Sequence, residues 1–321
     1  MKFINQSAQY LPQQAGIDGI YKQIELAGRT SYLSWDKMTD DSAKKFVDML
    51  IKSKHTSVLE HGAVYLKLPT VTEDKYMPTV KEWWPIVHSP YSKSNDVLLS
   101  NDPDDLGNID KVFLAITTNL RVLLENNMPI EHISKYLCEP TEFHEKRLSI
   151  KLTTSIDITR ESNRNRVLSP TEESTRYCNY SKGKYDNSIS VGIPSWVNKE
   201  EIPTYKSLVG FADDISNDRT DRWDALDWWF FANLACEKSY MMLLDKGWTP
   251  QQARKVLPLG TKSEIAYTAF ESDWRDWFDK RLFGKTGTPH PDMLVLANLI
   301  KQEFEKAGVW EGIMKYQSKY D

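Results

Sequence analysis

The residues most able to do chemistry lie in one stretch, residues 160–182, with the sequence R-E-S-N-R-N-R-V-L-S-P-T-E-E-S-T-R-Y-C-N-Y-S-K. It sets four arginines among glutamates and hydroxyl side chains, and only Val167 and Leu168 are strongly apolar. Guanidinium groups bind phosphate and carboxylate oxygens as rigid forks, and hydroxyl and backbone N–H groups complete such an anion site. The alternative interpretation of an Arg/Glu-rich segment is a salt-bridged surface loop. The flanking sequence favours a binding site.

Further polar blocks lie far from this stretch along the chain. The segment H-T-S-V-L-E-H at residues 55–61 offers His55, Ser57 and Glu60, and A-R-K-V-L-P at residues 253–258 offers Arg254. Another candidate, Arg281, lies in W-F-D-K-R-L-F. Each of these cations, taken alone, is more often a solvated surface residue. Only their combination with residues 160–182 indicates a site.

Several common kinds of site are not encoded. The chain has no G-x-G-x-x-G and no G-x-x-x-x-G-K-[ST], and G-K-T-G-T at residues 284–288 lacks the first glycine of a P-loop and follows a predicted helix. His55 and His61 are six residues apart without suitable partners, and the other four histidines are isolated, so we expect no metal site. No G-x-S-x-G motif marks a serine nucleophile, and nothing marks a cysteine as one.

Composition excludes other classes of protein. A net charge of −4 argues against a general nucleic-acid binder, which normally carries a basic excess, so any phosphate site must be local. Cys138, Cys178 and Cys236 are widely spaced, which is typical of a reducing compartment. The N-terminal residues lack the apolar core of a signal peptide, and no apolar run reaches membrane-spanning length. We therefore expect a cytoplasmic protein that binds neither nucleic acid nor membrane.

The elements that must position these residues follow from periodicity and from helix and turn signals. In the first half of the chain the pattern predicts helices over 17–28, with Gly28 as the stop, and from about Asp40, a strand over 63–68, and helices over 111–127 and 129–138. Residues 69–110 are rich in turn-forming residues and are predicted to be loop-like. From Arg147 the sequence R-L-S-I-K-L-T-T-S-I-D-I-T alternates cleanly, which predicts a strand that leads directly into residues 160–182. Rigid scaffolds carry sites at such strand ends.

The second half is predicted to be mostly helical. Residues 200–222 are expected to be partly helical and 223–246 to form a long and largely buried helix ended by Gly247. A strand or extended turn is expected over 261–270, followed by further helices over 272–283 and 290–307. Thr249 and Pro250 match the N-cap and first position of another helix. No repeat, low-complexity tract or linker divides the chain. The inventory indicates a single mixed α/β domain over 1–321, rich in helix.

Taken together, the polar blocks resemble the flavin-dependent thymidylate synthases. That family's signature, R-H-R-x-x-S-x-x-E-x-S-x-R-Y, is in register with Arg164, Arg166, Ser169, Glu172, Ser174, Arg176 and Tyr177. Its upstream H-x-[ST]-x-x-E-H matches residues 55–61, its downstream A-R-x-V-L-P matches residues 253–258, and a later arginine matches Arg281. S-T-R-Y-C-N-Y-S-K and the late H-P-D-M are similar to the family's longer bacterial and viral branch, which carries extra helices between two central strands.

The resemblance implies a fold and a reaction. The fold would be a central, mostly antiparallel sheet flanked by helices, with elaborations at about 71–110 and 197–235. The reaction would transfer a methylene group from methylenetetrahydrofolate to C5 of dUMP, with FAD supplying the hydride and NADPH reducing the flavin again. Family members are homotetramers whose active sites are shared between subunits, so one chain would hold only part of a site.

The resemblance also assigns roles to residues. Those implied for dUMP are Glu161, Arg164, Glu172, Glu173, Ser174, Arg176, Arg254 and Arg281. Those implied for FAD are His55, Ser57, Glu60, Arg164, Asn165, Arg166, Glu172 and Asp276. Ser174 and Arg281 are the catalytic candidates: Ser174 positions the nucleotide, and Arg281 faces the uracil edge, where a fixed cation stabilises developing negative charge.

The sequence departs from the family pattern at two places. Asn165 replaces the middle histidine of R-H-R, and Phe270, Ser272 and Asp276 stand where many shorter members carry flavin-binding residues. Two alternatives stay open. The same fold can act on dCMP or give a hydroxymethyl product, and the arginine stretch can belong to a non-catalytic nucleotide- or RNA-binding module.

Overall fold

The computed structural model describes residues 1–69, 76–100 and 109–321. Its strands are β1 (Lys2–Ile4), β2 (Ser7–Tyr10), β3 (Ala63–Pro69), β4 (Lys93–Ser100), β5 (Ile109–Asn119), β6 (Arg147–Ser155), β7 (Ser169–Glu172), β8 (Ser190–Gly192) and β9 (Lys262–Phe270). Its α-helices are α1 (Gly16–Thr30), α2 (Ser42–Lys52), α3 (Tyr76–Val87), α4 (Leu120–Glu125), α5 (Ile130–Ile133), α6 (Ile156–Ser162), α7 (Leu208–Ser216), α8 (Ala225–Asp245), α9 (Pro250–Ala253), α10 (Glu271–Arg281), α11 (Pro291–Lys306) and α12 (Trp310–Met314). A mixed α+β fold with antiparallel sheets is confirmed.

The central sheet has four antiparallel strands in the order β2-β6-β9-β7. Because side chains alternate along a strand, one face of β6 and β9 carries apolar residues such as Ile150 and Ile265, which pack against α10 and α11. Burying each such side chain stabilises the fold by about 1.5–3 kcal/mol. The opposite face is polar: the buried Ser149 and Thr268 hydroxyls are 2.6 Å apart there. This polar face lies beneath α1 and a 3-10 turn at Thr56–His61.

A second antiparallel sheet, β3-β5-β4, forms a core with α1, α2 and α3. Ile24, Val47, Leu66, Trp83 and Ile116 are all completely buried in it. A third, two-stranded sheet pairs β1 with β8 in parallel. The connections between these sheets place the turn at Thr56–His61 and the α6–β7 connection on the central sheet, where the predicted site residues lie.

The predicted helix at 111–127 is wrong over most of its length. Residues up to Asn119 form β5, and only Leu120–Glu125 are helical. Periodicity cannot distinguish a strand buried on both faces from a buried helix, and every residue from Phe113 to Leu120 is buried. The β-branched Ile116, Thr117 and Thr118 favour the strand, and the Asn119 side chain caps α4 by accepting a hydrogen bond from the Val122 N–H.

Other expectations need smaller corrections. The loop-like prediction for 69–110 is wrong where α3 and β4 lie, and residues 70–75 and 101–108 fall outside the described ranges. The strand from Arg147 ends at Ser155, so α6 separates it from the arginine stretch. The predicted helix at 129–138 is a single turn. Gly28 does not end α1, which continues to Thr30.

The helix over 223–246 is confirmed as α8, but it is not largely buried. Only Asp227, Phe230, Asn233 and Tyr240 of α8 are buried within the chain, while Trp228 remains 48% exposed. Gly247 follows with φ +89°, a conformation that glycine adopts without strain, and so ends the helix as predicted. Thr249 as the N-cap and Pro250 at the first helical position are also confirmed, and Gln252 completes a capping box.

The remaining elements agree with the sequence pattern. Helices α1, α2, α10 and α11 and strands β3 and β9 lie within a few residues of their predicted bounds. Within the described ranges, none of the helices combines the length and apolar character needed to span a bilayer.

Candidate functional site

A cleft of about 1530 Å³ opens beside the central sheet. Its walls come from residues 28–37, from the segment around the turn at Thr56–His61, from residues 173–190, and from the start of β9. It brings together four of the residues predicted for the site: His55, Ser57, Glu173 and Ser174. A space of this size accommodates a ligand as large as a dinucleotide.

The backbone at Ser174 is fixed from two sides of this cleft. The Glu173 N–H donates to the carbonyl oxygen of Glu264 in β9 at 2.7 Å, and the Ser174 N–H donates to the carbonyl oxygen of Ser31 at 2.9 Å. The Ser174 carbonyl then accepts from the N–H of Tyr177 and of Cys178, which starts a turn. Ser174 therefore occupies a tight corner between the sheet and the loop after α1.

The floor of the cleft is a buried charged network. Lys262 Nζ lies 2.9 Å from Glu173 Oε2 and 2.8 Å from Glu264 Oε1, and Tyr180 donates to Glu173 Oε1 at 3.0 Å. Burial raises the pKa of Glu173, although Lys262 and Tyr180 favour its charged form. Burial alone would also raise the pKa of Glu264, but the ammonium groups of Lys262 and Lys151 outweigh it and lower that pKa.

Two of the residues implied for dUMP, Arg176 and Arg254, lie at the turn that follows Ser174. Arg254 Nη1 donates to Thr175 Oγ1 at 3.1 Å, which ties the short turn after α9 to the arginine stretch. Arg176 is exposed, and its guanidinium lies 5.3 Å from the Tyr177 ring. The Tyr177 ring in turn lies 5.3 Å from that of Tyr32 at the mouth of the cleft. Cations, a hydroxyl and aromatic rings thus surround one exposed turn.

A second group of predicted residues forms between α6 and α10. Arg281 Nη1 pairs with Glu161 Oε1 at 2.5 Å, and Arg281 Nη2 donates to the Glu161 carbonyl at 2.8 Å. Arg164 and Arg166, in the connection after α6, are exposed and have no carboxylate partner in the described part of the chain. Glu161 and Arg281 thus form a paired group, and the nearby connection adds two cations without a carboxylate partner among the described residues.

Asn165 lies between those two arginines and is buried. Its N–H donates to the Ser162 carbonyl at 3.0 Å, and its carbonyl accepts from Leu168, so the backbone is fixed at both sides. The side-chain Nδ2 is buried and has no hydrogen-bond partner among the described residues. A buried amide donor without an acceptor is costly, so this group is available to an acceptor atom of a ligand.

Glu172 and Glu173 separate the two groups because consecutive residues of a strand point to opposite faces. Glu172 Oε1 accepts from Thr159 Oγ1 of α6 and from Ser263 Oγ, each at 2.7 Å. Glu173 lies on the opposite face, where its buried carboxylate forms part of the floor of the cleft beside Lys262. The end of β7 therefore supplies one carboxylate to each side of the sheet.

Two other predicted flavin residues are engaged elsewhere. Glu60 Oε1 is paired with Arg121 Nη1 at 2.5 Å, at the start of α4. Asp276 is buried on α10, where Oδ2 accepts from Lys280 at 2.6 Å and Oδ1 from the Tyr320 hydroxyl at 3.1 Å. In the described ranges, neither residue makes a hydrogen bond or ion pair to the cleft group or to Arg281.

Lys262 and Tyr180 are cleft residues that the sequence interpretation missed. The spacing Lys262-Ser263-Glu264 on a predicted strand is a detectable signal, since period-two alternation puts both charges on one face. Arg147 was missed too: it is buried, Nη2 donates to Ser169 Oγ at 3.0 Å, and its Nε and Nη1 have no partner among the described residues. The described ranges contain no cluster of three or more His, Cys, Asp or Glu residues suited to a metal ion.

Comparison with known proteins gives one broad match. The family model described as thymidylate synthase complementing protein matches residues 118–307, more than half of the chain. No curated protein matches the sequence. Among solved structures, crystal structures of a UMP/dUMP methylase PolB from Streptomyces cacaoi, bound with 5-Br dUMP or with 5-Br UMP, align over 98% of this chain and over 97% and 96% of theirs. The identities are 13% and 14%, and the TM-score is 0.40 for both.

Proposed function

The chain belongs to the family of thymidylate synthase complementing proteins, the flavin-dependent thymidylate synthases, and from this premise we propose that it catalyses the reductive methylation of dUMP to dTMP. Methylenetetrahydrofolate is the carbon donor, FAD the hydride carrier and NADPH the reductant. The observation that carries the proposal is the family match over residues 118–307, which contain both the arginine stretch and Arg254 with Arg281.

The turn at Ser174–Tyr177 supports the nucleotide part of this proposal. A 5′-phosphate is a dianion, and Arg176 with Arg254 offers two fixed cations beside the same turn. The Ser174 and Thr175 hydroxyls add donors. Ser174 lines the cleft and is rigidly held, so it positions the nucleotide and does not attack the pyrimidine ring. The Glu173 side chain is bonded to Lys262 and stabilises the backbone at Ser174 without contacting the nucleotide.

Arg281 is the residue proposed to face the uracil edge. Its guanidinium is held by the Glu161 carboxylate and carbonyl, so its position is set before a ligand arrives. A preorganised cation stabilises negative charge that develops on the ring in the transition state more effectively than one that must reorient. Glu161 is the positioning partner of Arg281, and Arg164 completes this side of the nucleotide.

The cations and the unpartnered amide donor after α6 fit FAD, whereas Glu60 and Asp276 are already held by Arg121 and by Lys280 with Tyr320. The proposed flavin residues are His55 and Ser57 in the cleft, Glu60, Arg164, Asn165 and Arg166, with Glu172 and Asp276 on the other face of the sheet. Asn165 has an amide donor without a partner among the described residues, and a flavin carbonyl oxygen is a suitable acceptor for it. Arg164 and Arg166 favour an anionic ring edge. When bound, FAD supplies the hydride that completes the methyl group.

Shared active sites are part of the proposal. The cleft group around Ser174 and the group around Arg281 lie on opposite faces of the central sheet, as the divergence of Glu172 and Glu173 shows. A homotetramer that places the Arg281 group of one subunit against the cleft of another would complete a site that a single chain leaves divided. The same division explains why the exposed arginines have no partner within the described chain.

Flavin and nucleotide binding test the proposal together. We expect the purified protein to take up FAD and show an oxidised-flavin absorption spectrum, which dUMP then perturbs. Arg176→Ala should need about ten- to hundred-fold more dUMP for the same perturbation, because a charged hydrogen bond to phosphate contributes about 1.5–3 kcal/mol. Arg160→Ala is the matched control, since Arg160 is an exposed arginine of the same stretch with no proposed role.

Two results would contradict this proposal. A protein that takes up no FAD would exclude the flavin-dependent reaction. Normal dUMP dependence in Arg176→Ala would leave the flavin in place but remove the phosphate role assigned to Arg176.

A further inference from the structure

The charged network on the floor of the cleft contains residues to which the proposed function assigns no role. Four side chains alternate in sign along it: Lys151 on β6, Glu264 and Lys262 on β9, and Glu173 after β7. Lys151 Nζ lies 3.4 Å from Glu264 Oε2, and Lys262 bridges Glu264 and Glu173. Two lysines and two glutamates give the network no net formal charge. It crosses three neighbouring strands of one sheet, so it is rigid.

Lys262 pairs with Glu173, the member of the network nearest the proposed nucleotide site. Its side chain is 16% exposed and lines the cleft, while that of Glu173 is 1% exposed. Glu173 receives three further restraints: the Tyr180 hydroxyl at 3.0 Å, the Glu264 N–H at 3.3 Å, and its own N–H donated to the Glu264 carbonyl. Only Lys262 neutralises the Glu173 charge among the described residues.

We infer that Lys262 is a positioning residue for the nucleotide and acts through Glu173 on the Ser174 corner. This role rests on the proposed function, because it takes the phosphate of dUMP to bind at the turn Ser174–Tyr177. Without Lys262 a buried carboxylate loses its counter-charge, which is strongly unfavourable. The Glu173 side chain would then turn toward water in the cleft. That movement would disturb the Ser174 corner and bring a negative charge toward a dianionic phosphate.

The test is dUMP binding measured by calorimetry on the native full chain, Lys262→Met and Lys151→Met. Lys151→Met is the matched control because it removes a lysine from the same network that contacts Glu264 and not Glu173. We expect the dUMP dissociation constant to rise at least about ten-fold in Lys262→Met and to change less than about two-fold in Lys151→Met. Circular dichroism checks that each variant is folded at the temperature used.

A double-mutant cycle separates this role from a general loss of structure. If Lys262 acts through Glu173, Lys262→Met should weaken dUMP binding much less when Glu173 is already Gln. Additive effects of the two substitutions on the dissociation constant would overturn the inference. Should Lys262→Met fail to fold, Tyr180→Phe, which removes another hydrogen bond to Glu173, is expected to weaken dUMP binding in the same direction. Unchanged binding in that variant would overturn the role.

The inference and the proposed function fail in different ways. Equal dUMP affinity in the native chain and in folded Lys262→Met overturns the role of Lys262 alone. Absence of dUMP binding by the native chain overturns the proposed function and this role with it.

Discussion

His61 is the last residue of the turn at Thr56–His61, and its ring is completely buried against the central sheet. Its Nδ1 lies 2.8 Å from Thr268 Oγ1 and its Nε2 lies 2.9 Å from Thr171 Oγ1, so the ring joins the turn to β9 and β7. Burial, together with the nearby Arg147 cation, lowers the pKa of His61 from 6.5 to about 3. The folded chain therefore requires a neutral ring.

This lowered pKa predicts a loss of stability in mild acid. The unfolded chain binds a proton at His61 below its pKa of 6.5, and the folded chain does so only near 3, so stability falls as pH drops through that window. At pH 5 the loss from this one group is about 2 kcal/mol relative to neutral pH. Urea unfolding at pH 7 and at pH 5 measures it.

The matched variants isolate the histidine from carboxylates that titrate in the same range. His61→Gln should reduce the difference between the two pH values by about 2 kcal/mol, whereas His88→Gln, at an exposed histidine stacked on Trp84, should leave it unchanged. Equal pH dependence in native protein and in His61→Gln would contradict the assignment to His61.

The motif residues could be identified from the sequence, but the residues that they contact could not. The spacing of Ser174, Arg176 and Arg254 identified the phosphate candidates, because guanidinium and hydroxyl groups are typical of anion sites. The partnership of Glu60 with Arg121 was not predictable, because the two residues are brought together only when α4 packs on the turn at Thr56–His61. For Lys262, the sequence shows that it alternates with Glu264 along one strand. Its contact with Glu173 could not be predicted, because it depends on the pairing of β7 with β9.

Gly28 shows how one close approach between two helices shapes the cleft wall. It lies inside α1, and a Cβ atom there would be 2.6 Å from the Phe46 ring of α2. Glycine at this position lets the helices pack closely, and both Gly28 and Phe46 line the cleft. The sequence pattern gave Gly28 a different role, as a helix stop, because a glycine near the end of an apolar pattern more often ends a helix.

Gly28→Ala is therefore expected to destabilise the chain by about 1–3 kcal/mol, because overpacking forces Phe46 from its position. Gly183→Ala is the control, since no atom lies within 4 Å of the Cβ that it would add and its backbone is not left-handed. Thermal or urea unfolding measures both. Adding Phe46→Leu should restore part of the stability of Gly28→Ala. A Gly28→Ala variant as stable as the native chain would contradict the packing described for α1 and α2.

Strand β7 was not predicted from the sequence, and its pairing with β9 divides the predicted site. Four residues, Ser169–Glu172, pair with β9 inside what the sequence presents as one charged loop. That pairing sends Glu172 and Glu173 to opposite faces of the sheet and divides the predicted site. Polar composition alone could not reveal this strand, because strand propensity depends on the neighbours against which a segment packs.

Helix α8 carries exposed apolar side chains that are relevant to the proposed homotetramer. Trp228 and Met242 are 48% and 37% exposed and lie on one face of the helix, since their separation of fourteen residues is close to four turns. A helix with apolar residues around its whole circumference is normally buried. We propose that this face contacts another copy of the chain in the homotetramer.

Analytical ultracentrifugation tests this arrangement. The expected mass is four times the 37.2 kDa of one chain, and Trp228→Asp should lower it because a charge would be buried in the contact. Tyr205→Asp, at a residue that is 85% exposed and outside α8, is the control. A native protein that sediments as a single chain and still forms product would contradict the shared site.

The fold class and the family could be predicted from the sequence, but the division of the predicted site between two faces of the sheet could not. Three ordered motif blocks sufficed for the family because their spacing along the chain is itself specific. The separation of the Ser174 and Arg281 groups depends on which strands pair, and pairing between distant segments leaves little local signal. The single-domain interpretation of residues 1–321 stays a prediction.

The product formed from dUMP tests the proposed function most directly. The native protein is incubated with dUMP, methylenetetrahydrofolate, FAD and NADPH, with dCMP replacing dUMP in a parallel reaction, and the nucleotides are identified by mass spectrometry. The proposed function predicts dTMP from dUMP, loss of product when FAD is left out, and no methylated product from dCMP. A hydroxymethylated nucleotide, or methylation of dCMP in place of dUMP, would contradict it.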